Sequence, residues 1–337
     1  AFYMSKGIKN KTLGKILAVL FCIAVFIGPG FLLPAMQTQT SSTAVKGAFG
    51  IPFVVVGIGM VIIVGVVTMG GIKRIGQVAE FLAPIMCGIY LLVMVIIMIV
   101  NAERIPSVFS SIFASAFGKD AVFGGIVGSA VAWGIKRGFF SNDAGNGMSP
   151  LISSTSDTSH PVKQGLIQAL SVFTDTIVIC SCTAFIILLS DLPLDGTLKG
   201  IQLTQAAVGH EIGPFGAQFI AFCILLFAFS SIVGNYSYCE TNLFFISRHP
   251  AGLQIYRIAV GGMVFFGSVA GLDIVWNLAD LFMALMTLIN LIALIFLGHL
   301  ALKALKNYND QKRRGIKSPV FKASDIPEIE DQLSEWK

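Results

Sequence analysis

Two adjacent serines, Ser230 and Ser231, lie near the middle of a long apolar stretch, and Asn235 follows Ser231 one helical turn later on the same face. Hydroxyl oxygens can coordinate a hard cation such as sodium when nearby backbone carbonyls complete its shell. The alternative is that each hydroxyl donates to the carbonyl four residues earlier in its own helix. The spacing therefore favours either a sodium site or two structural hydroxyls.

Two other apolar stretches also carry polar side chains. Gln37 shares one helix face with Thr40 and Ser41, beyond a segment that glycine and proline interrupt. This face is typical either of a helix end that meets water or of a water-filled route for a substrate. Asp175 lies within another apolar stretch, where a carboxylate must be paired, protonated or water-facing. A structural hydrogen bond and a role in transport both fit Asp175.

Residues 121–150 read AVFGGIVGSAVAWGIKRGFFSNDAGNGMSP, and the first half is unusually rich in glycine. Each interior glycine costs a helix roughly 1 kcal/mol relative to alanine. Gly124 and Gly128 have the GxxxG spacing that lets membrane helices approach closely, and such glycines also let a helix unwind and expose its backbone to a small ligand. We interpret the stretch as an interrupted membrane helix. The polar residues after it, including Asn142 and Asp143, are interpreted as its cytoplasmic exit.

The composition is that of a polytopic membrane protein. Of 337 residues, 55% are hydrophobic and 12% charged, and the mean hydropathy is +0.81, whereas about 25% charge is usual in soluble domains. The six cysteines and four histidines lack the spacing of a metal site or a disulfide framework. The net charge of +5 does not form a basic stripe with interleaved aromatics, so we expect no nucleic-acid partner.

Eight apolar runs are each long enough to cross a bilayer, which needs about 20 residues. They lie near 13–36, 50–71, 79–100, 120–138, 165–190, 215–237, 251–271 and 277–301. If the first loop is cytoplasmic, the inside segments hold nineteen of the 23 basic residues, Arg137 among them, which is a strong positive-inside bias. Asp280 then begins the last span at its outer mouth. We therefore predict an all-α domain over residues 1–305, both termini cytoplasmic, and a solvated, partly disordered cytoplasmic tail over 306–337.

An enzyme is the least favoured class. Ser141 and Asp143 lie close together, but no histidine is near them in the sequence to act as a base, and neither GxSxG nor HExxH occurs. An ion channel or a purely structural membrane protein would show passive flux or none.

Several segments resemble the alanine or glycine:cation symporter family, in that family's order. They are GIKRIGQVAEFLAPIMCGIYLL (71–92), RGFFSNDAGNGMSP (137–150), HPVKQGLIQALSVFTDT (160–176), FSSIVGNYSY (229–238) and VWNLADLFMALMTLINLIALIFL (275–297). The family is similar in fold to the leucine transporter, with two five-helix inverted repeats. The resemblance implies that the eight spans are the third to tenth core helices and that earlier helices precede Ala1. It covers the chain to about residue 305.

The resemblance also implies roles for particular residues. Gln37 matches a glutamine beside the substrate pocket, and Asn235 a pocket position that some members fill with Trp. The other matches are the glycine-rich broken helix (Gly124, Gly125 and Gly128), a helix that carries part of a sodium site (Ser230 and Ser231), and Asp143, which stands where Glu is usual. Because pocket volume decides which side chains fit, the Trp-to-Asn difference leaves the substrate preference open.

The implied function is symport of a small neutral amino acid, alanine or glycine, with sodium across the plasma membrane. Sodium is the coupling ion, and no other cofactor or metal is expected. The alternative is a proton-coupled amino-acid permease of the same fold, with Asp175 as the proton carrier and Asn142 and Asp143 as structural or proton-linked residues.

Overall fold

The structure is a computed structural model that describes residues 1–117, 132–134, 137–138, 140–141, 143, 145–190, 192–193, 197–246, 249–270, 272–333 and 336. Within these ranges all regular structure is helical. The α-helices, in chain order, are α1 (Phe2–Gly7), α2 (Lys11–Ile27), α3 (Leu33–Phe49), α4 (Phe53–Thr68), α5 (Gly71–Val100), α6 (Ile105–Phe117), α7 (Ser149–Ser153), α8 (Pro161–Phe173), α9 (Cys180–Leu189), α10 (Ile201–Ile212), α11 (Phe215–Ile246), α12 (Pro250–Val269) and α13 (Leu272–Arg313).

Six of the eight predicted spans coincide with helices that are long and apolar enough to cross a membrane: Lys11–Phe49, Arg74–Val100, Pro161–Leu189, Phe215–Ile246, Pro250–Val269 and Val275–Arg313. The predicted span 50–71 is a shorter apolar helix, α4, of 16 residues. Residues 120–131 of the predicted fourth span lie outside the described residues, as do the candidate site residues Gly124, Gly125, Gly128 and Asn142.

Two spans contain a π-helical turn. Gly28–Leu32 joins α2 to α3 and includes Pro29, which lacks the N–H for an ordinary helical turn, so the sequence signal for this interruption was correct. Thr174–Ile179 joins α8 to α9 and includes Asp175. No glycine or proline marks this second turn, and sequence reasoning missed it.

Helices α3, α4, α11 and α12 form the most tightly packed part of the described structure. Small residues make the close contacts possible: a Cβ added to Gly267 of α12 would overlap the backbone of Ala35 in α3, and one added to Gly57 of α4 would overlap the side chain of Ser268. The rings of Tyr236 (α11) and Tyr256 (α12) stack with centroids 5.3 Å apart. We call these four helices the scaffold.

The C-terminal segment is folded over its described residues, so the expectation of partial disorder is wrong there, although most of these residues are exposed to solvent as expected. Phe321 donates its backbone N–H to Ser159 O at 2.9 Å, and the Trp336 indole donates to Thr158 O at 3.2 Å. Phe321 and Ile326 are 3% and 2% exposed. These apolar residues are scattered through a charged stretch, and they bury surface only because the chain turns back onto the start of α8 and the end of α13.

His160 connects the tail to the membrane helices. Its ring is fully buried, edge-on to Tyr308 and Phe321 at centroid distances of 5.0 and 5.4 Å. Nδ1 accepts from the backbone N–H of Val162 and so caps α8, while Nε2 faces Asn307 Oδ1 at 3.2 Å. Burial lowers the pKa of His160, and a protonated ring would lose the cap.

The close approach of Gly267 to Ala35 can be tested with a matched pair of variants. Gly267→Ala should destabilise the protein by about 1–3 kcal/mol, because the added methyl group forces α3 and α12 apart. Gly262→Ala, in the same helix, meets nothing within 4 Å and should be neutral or stabilising by up to about 1 kcal/mol. Thermal unfolding of the purified protein in detergent measures both. Equal unfolding midpoints for the two variants would show that Gly267 does not approach Ala35 closely.

The lowered pKa of His160 predicts pH-dependent docking of the tail. Because the folded state holds the neutral ring, the docked tail is most stable above the ordinary histidine pKa of about 6.5 and loses stability as the pH falls through that value. Hydrogen exchange of residues 318–333, corrected for its intrinsic pH dependence, should accelerate between pH 7.5 and 5.5. His160→Asn keeps a capping oxygen that does not titrate, so its corrected exchange should vary less with pH. An identical pH profile in the variant would contradict this role.

Candidate functional site

A cavity of about 270 Å³ lies between α3, α11, α13 and the turn that precedes α7. It brings together every described residue that the sequence analysis assigned to a substrate or sodium site, and adds Asp143. Its lining consists of Leu33, Gln37, Phe140, Ser141, Asp143, Met148, Ser230, Ser231, Gly234, Asn235, Tyr238 and Met283. We call it the central cavity.

Helix α11 supplies one wall because five of its lining residues share a face at helical spacing. The two serines on this face differ. Ser230 Oγ donates to Phe227 O at 3.0 Å, whereas the Ser231 hydroxyl has no hydrogen-bond partner among the described residues. The same holds for the side chain of Asn235, which is only 6% exposed. Back-bonding therefore accounts for one serine and leaves the other free for a ligand.

A polar turn at residues 143–148 supplies the opposite wall. Asp143, Gly145 and Gly147 all have positive φ, at 55°, 79° and 88°. Asn146 ties the turn together, since its Nδ2 donates to Asp143 Oδ1 at 2.8 Å and its Oδ1 accepts from Met148 N at 2.9 Å. A Cβ on Gly147 would lie 2.8 Å from the Phe21 ring, so only glycine fits there.

This turn lies inside the helix bundle, and the interpretation of the residues around Asp143 as a cytoplasmic exit is wrong. Asn146 and Met148 are 1% and 2% exposed. Asn290, in the middle of α13, donates its Nδ2 to Gly145 O at 2.8 Å and accepts from Tyr3 OH at 2.6 Å. The sequence resembled a solvated loop because its polar groups are satisfied by one another and by one distant asparagine, and neither contact is visible in a local pattern.

Asp175 does not line the central cavity but is connected to it. Ser141, which does line it, donates its hydroxyl to Asp175 Oδ2 at 2.6 Å and lies 3.2 Å from Cys180 Sγ. The π-helical turn at Thr174–Ile179 positions this carboxylate. Of the two roles considered from sequence, the hydrogen bond to a neighbouring segment is present.

A second, larger cavity of about 470 Å³ lies between α5, α7 and α11. Ser230 and Gly234 line both cavities, so small residues form the partition between them. Within the described residues, no group of three or more His, Cys, Asp or Glu side chains could hold a metal ion.

Comparison with known proteins identifies the family of the chain. The model of the sodium:alanine symporter family matches residues 1–323. The chain belongs to the sodium:alanine symporter family. It is 44% identical over 331 residues to the amino-acid carrier protein AlsT of Bacillus subtilis, covering 98% of this chain and 70% of that relative.

Two further relatives carry more specific names. The chain is 42% identical to the probable sodium/glutamine symporter GlnT of Bacillus subtilis, covering 95% of this chain and 66% of that protein. It is 37% identical to the sodium/proton-dependent alanine carrier protein of Bacillus sp. PS3, covering 94% of this chain and 76% of that protein. The chain thus spans about 70% of the length of these relatives. The family and these relatives are transporters, so this symporter chain is a transporter and not an enzyme.

The symporter chain crosses the bundle between Arg137 and His160. Arg137 forms an ion pair with Asp280 at 3.0 Å, near the start of α13, and Phe140 stacks on Trp276 with centroids 5.9 Å apart. His160 lies beside Asn307, near the other end of α13. Positions 280 and 307 are about 40 Å apart along a helix, roughly the thickness of a bilayer with its interfaces. The buried turn at 143–148 therefore lies between the two faces.

This crossing corrects the sidedness inferred from sequence. The positive-inside count placed Arg137 inside and Asp280 at the outer mouth, and an ion pair excludes that combination. The positive-inside count was misleading here because Arg137 is not a solvated loop charge. It is paired with Asp280 and packed among three aromatic rings, so its position does not depend on the side of the membrane. The rings are those of Trp133, Phe140 and Trp276.

Some lining residues had no sequence signal. Tyr238 could have been found, since it lies one turn beyond Asn235 on the same face. Leu33, Phe140, Met148 and Met283 are apolar residues in apolar surroundings, and only the tertiary arrangement places them at the cavity.

Cysteine labelling tests the crossing. In full-length protein with the exposed Cys180 replaced by serine, cysteines at Arg137 and Asn277 should react with an impermeant thiol reagent from one side of the membrane. Cysteines at the exposed positions Asp157 and Arg314 should react from the other. Labelling of positions 137 and 157 from the same side would contradict a crossing between them.

Proposed function

We propose that the complete protein transports a small neutral amino acid together with sodium across the plasma membrane, and that the central cavity is part of its binding site. The observation that supports this most strongly is the convergence of Gln37, Ser231, Asn235 and Asp143 on one cavity. They come from two helices and a turn, far apart in sequence. Polar side chains converge in a membrane protein interior where they bind a ligand or one another, and three of these four have no described partner.

The chemistry of the cavity suits an α-amino acid. The Asp143 carboxylate and the amide oxygens of Gln37 and Asn235 can accept from an α-ammonium group. An α-carboxylate suits the exposed backbone amides of an interrupted helix, for which Gly124, Gly125 and Gly128 remain our candidates. Asn142 keeps its assignment as a structural or proton-linked residue.

Ser231 and Ser230 are the proposed sodium ligands. The Ser231 hydroxyl has no partner in the part of the chain that the structure describes, and the Ser230 oxygen keeps its lone pairs while its proton is donated to Phe227 O. Backbone carbonyls would complete the oxygen shell. An amino acid and an ion that stabilise the same closed state tighten each other's binding. One charge moving through 100 mV is worth about 2.3 kcal/mol, which gives sodium the means to concentrate the amino acid.

We also propose the leucine-transporter-like inverted-repeat fold, with the described spans as the third to tenth core helices. In this fold we propose that the scaffold is the fixed part of the transporter and that the other core helices move against it. Both ends of this chain are placed in the cytoplasm, with 1–305 as the transmembrane domain and 306–337 as a docked cytoplasmic segment.

Proton coupling is the second candidate function. The Ser141–Asp175 hydrogen bond connects a carboxylate to the cavity wall and gives a proton a path to Asp175. The Bacillus sp. PS3 relative is named as sodium/proton-dependent. In this alternative Asp175 carries the proton, and transport responds to pH in the absence of sodium.

Sodium titration of alanine uptake separates the two. In liposomes that contain the full-length protein, replacing sodium by choline at fixed pH should abolish concentrative uptake. Ser231→Ala should require several-fold more sodium for half-maximal uptake, because a ligand oxygen is lost. Ser237→Ala is the control on the same helix, since the Ser237 hydroxyl is bonded to Gly234 O and lies outside the central cavity. An unchanged sodium response in Ser231→Ala removes Ser231 from the ion site, and full uptake in choline favours the proton-coupled alternative.

A further inference from the structure

The central cavity holds more polar groups than the backbone of an amino acid and a sodium ion require. The side chains of Gln37, Ser231, Asn235 and Tyr238 have no hydrogen-bond partner among the described residues, and Asn146 occupies only one oxygen of Asp143. A sodium ion takes oxygen from Ser231, and an α-ammonium group binds the Asp143 carboxylate in preference to the neutral amide oxygens, because a charged acceptor holds it more strongly. Two carboxamides, Gln37 and Asn235, remain, and a phenol.

These remaining groups share one chemical character. A carboxamide presents two donors and an acceptor, and two carboxamides can pair reciprocally. Asn235 is 6% exposed and lines the central cavity, so its amide faces whatever the cavity holds. An alanine methyl group beside it offers no hydrogen bond, whereas a substrate carboxamide pairs with it directly.

The size of the cavity also favours a substrate with a longer side chain than alanine. A liquid water molecule takes about 30 Å³, so 270 Å³ holds about nine groups of that size, more than the atoms of alanine fill. The apolar lining residues Leu33, Met148 and Met283 can cover the methylene groups of a longer side chain.

We infer that the central cavity selects an amino acid whose side chain carries a carboxamide, glutamine or asparagine, over alanine. The inference rests on the proposed function and specifies its substrate. Asn235 and Gln37 are then specificity-determining residues that touch the side chain of the substrate, while Asp143 and Ser231 bind its charged groups and the ion.

Competition against labelled amino acids in liposomes with an inward sodium gradient tests the inference with the unaltered full-length protein. Asparagine and leucine have nearly the same shape and differ in the carboxamide. We expect unlabelled asparagine or glutamine to inhibit uptake at concentrations at least about tenfold lower than alanine does, and leucine to inhibit poorly. Inhibition by leucine as strong as by asparagine, or by alanine as strong as by glutamine, would overturn the inference.

Variants locate the preference. Asn235→Leu keeps the side-chain volume and removes the carboxamide, so the asparagine-to-leucine preference should fall at least about tenfold. Ser237→Ala, on the same helix but outside the central cavity, should keep it. A preference that persists in Asn235→Leu would contradict the role of this residue.

Sodium-dependent uptake of alanine without any carboxamide preference would leave the proposed function standing and remove only this inference. No sodium-dependent uptake of any of these amino acids would overturn the proposed function itself.

Discussion

The structure depends on a polar turn that is satisfied inside an apolar bundle. In hydrocarbon, each unpaired backbone group costs several kcal/mol, so irregular backbone persists at membrane depth only where protein or a water-filled cavity surrounds it. At residues 143–148 the partners are Asn146 from within the turn and Asn290 from α13. The positive φ of Asp143 costs conformational energy, which the surrounding contacts offset, whereas Gly145 and Gly147 adopt positive φ readily. This turn is what brings Asp143 to the central cavity.

The scaffold sets the geometry of the wall opposite the turn. One face of α11 packs on α12 through Tyr236, whose ring stacks on Tyr256, and on α2 through Cys239, whose thiol donates to Val25 O at 3.3 Å. Another face presents Ser231 and Asn235 to the cavity. Because the two faces belong to one helix, the polar groups are held in place by contacts that lie outside the central cavity. Side chains that are already ordered lose less conformational entropy when a ligand binds.

Sequence reasoning found most of the polar residues of the central cavity. It did not find how deeply the turn at Asp143 is buried, or the apolar residues that complete the lining. Gln37, Ser231 and Asn235 were visible because polar side chains in apolar helices are rare and costly, and helical periodicity gives their faces. The depth of Asp143 was not visible, because SNDAGNG has the composition of a solvated turn and its buried partner, Asn290, lies far along the chain. The docked tail was missed for a related reason: Phe321, Ile326 and Trp336 are separated by charged residues and have no periodicity of their own.

The partition between the two cavities follows from the same arrangement. Ser230 and Gly234 border both cavities, and neither has a side chain large enough to fill the space between them. The Ser230 hydroxyl donates its proton to Phe227 O, so only the lone pairs of its oxygen remain available. Ser231, which has no hydrogen-bond partner among the described residues, lines the central cavity but not the second one. The partition between the two cavities is therefore a feature of α11 itself, set by the small side chains at positions 230 and 234.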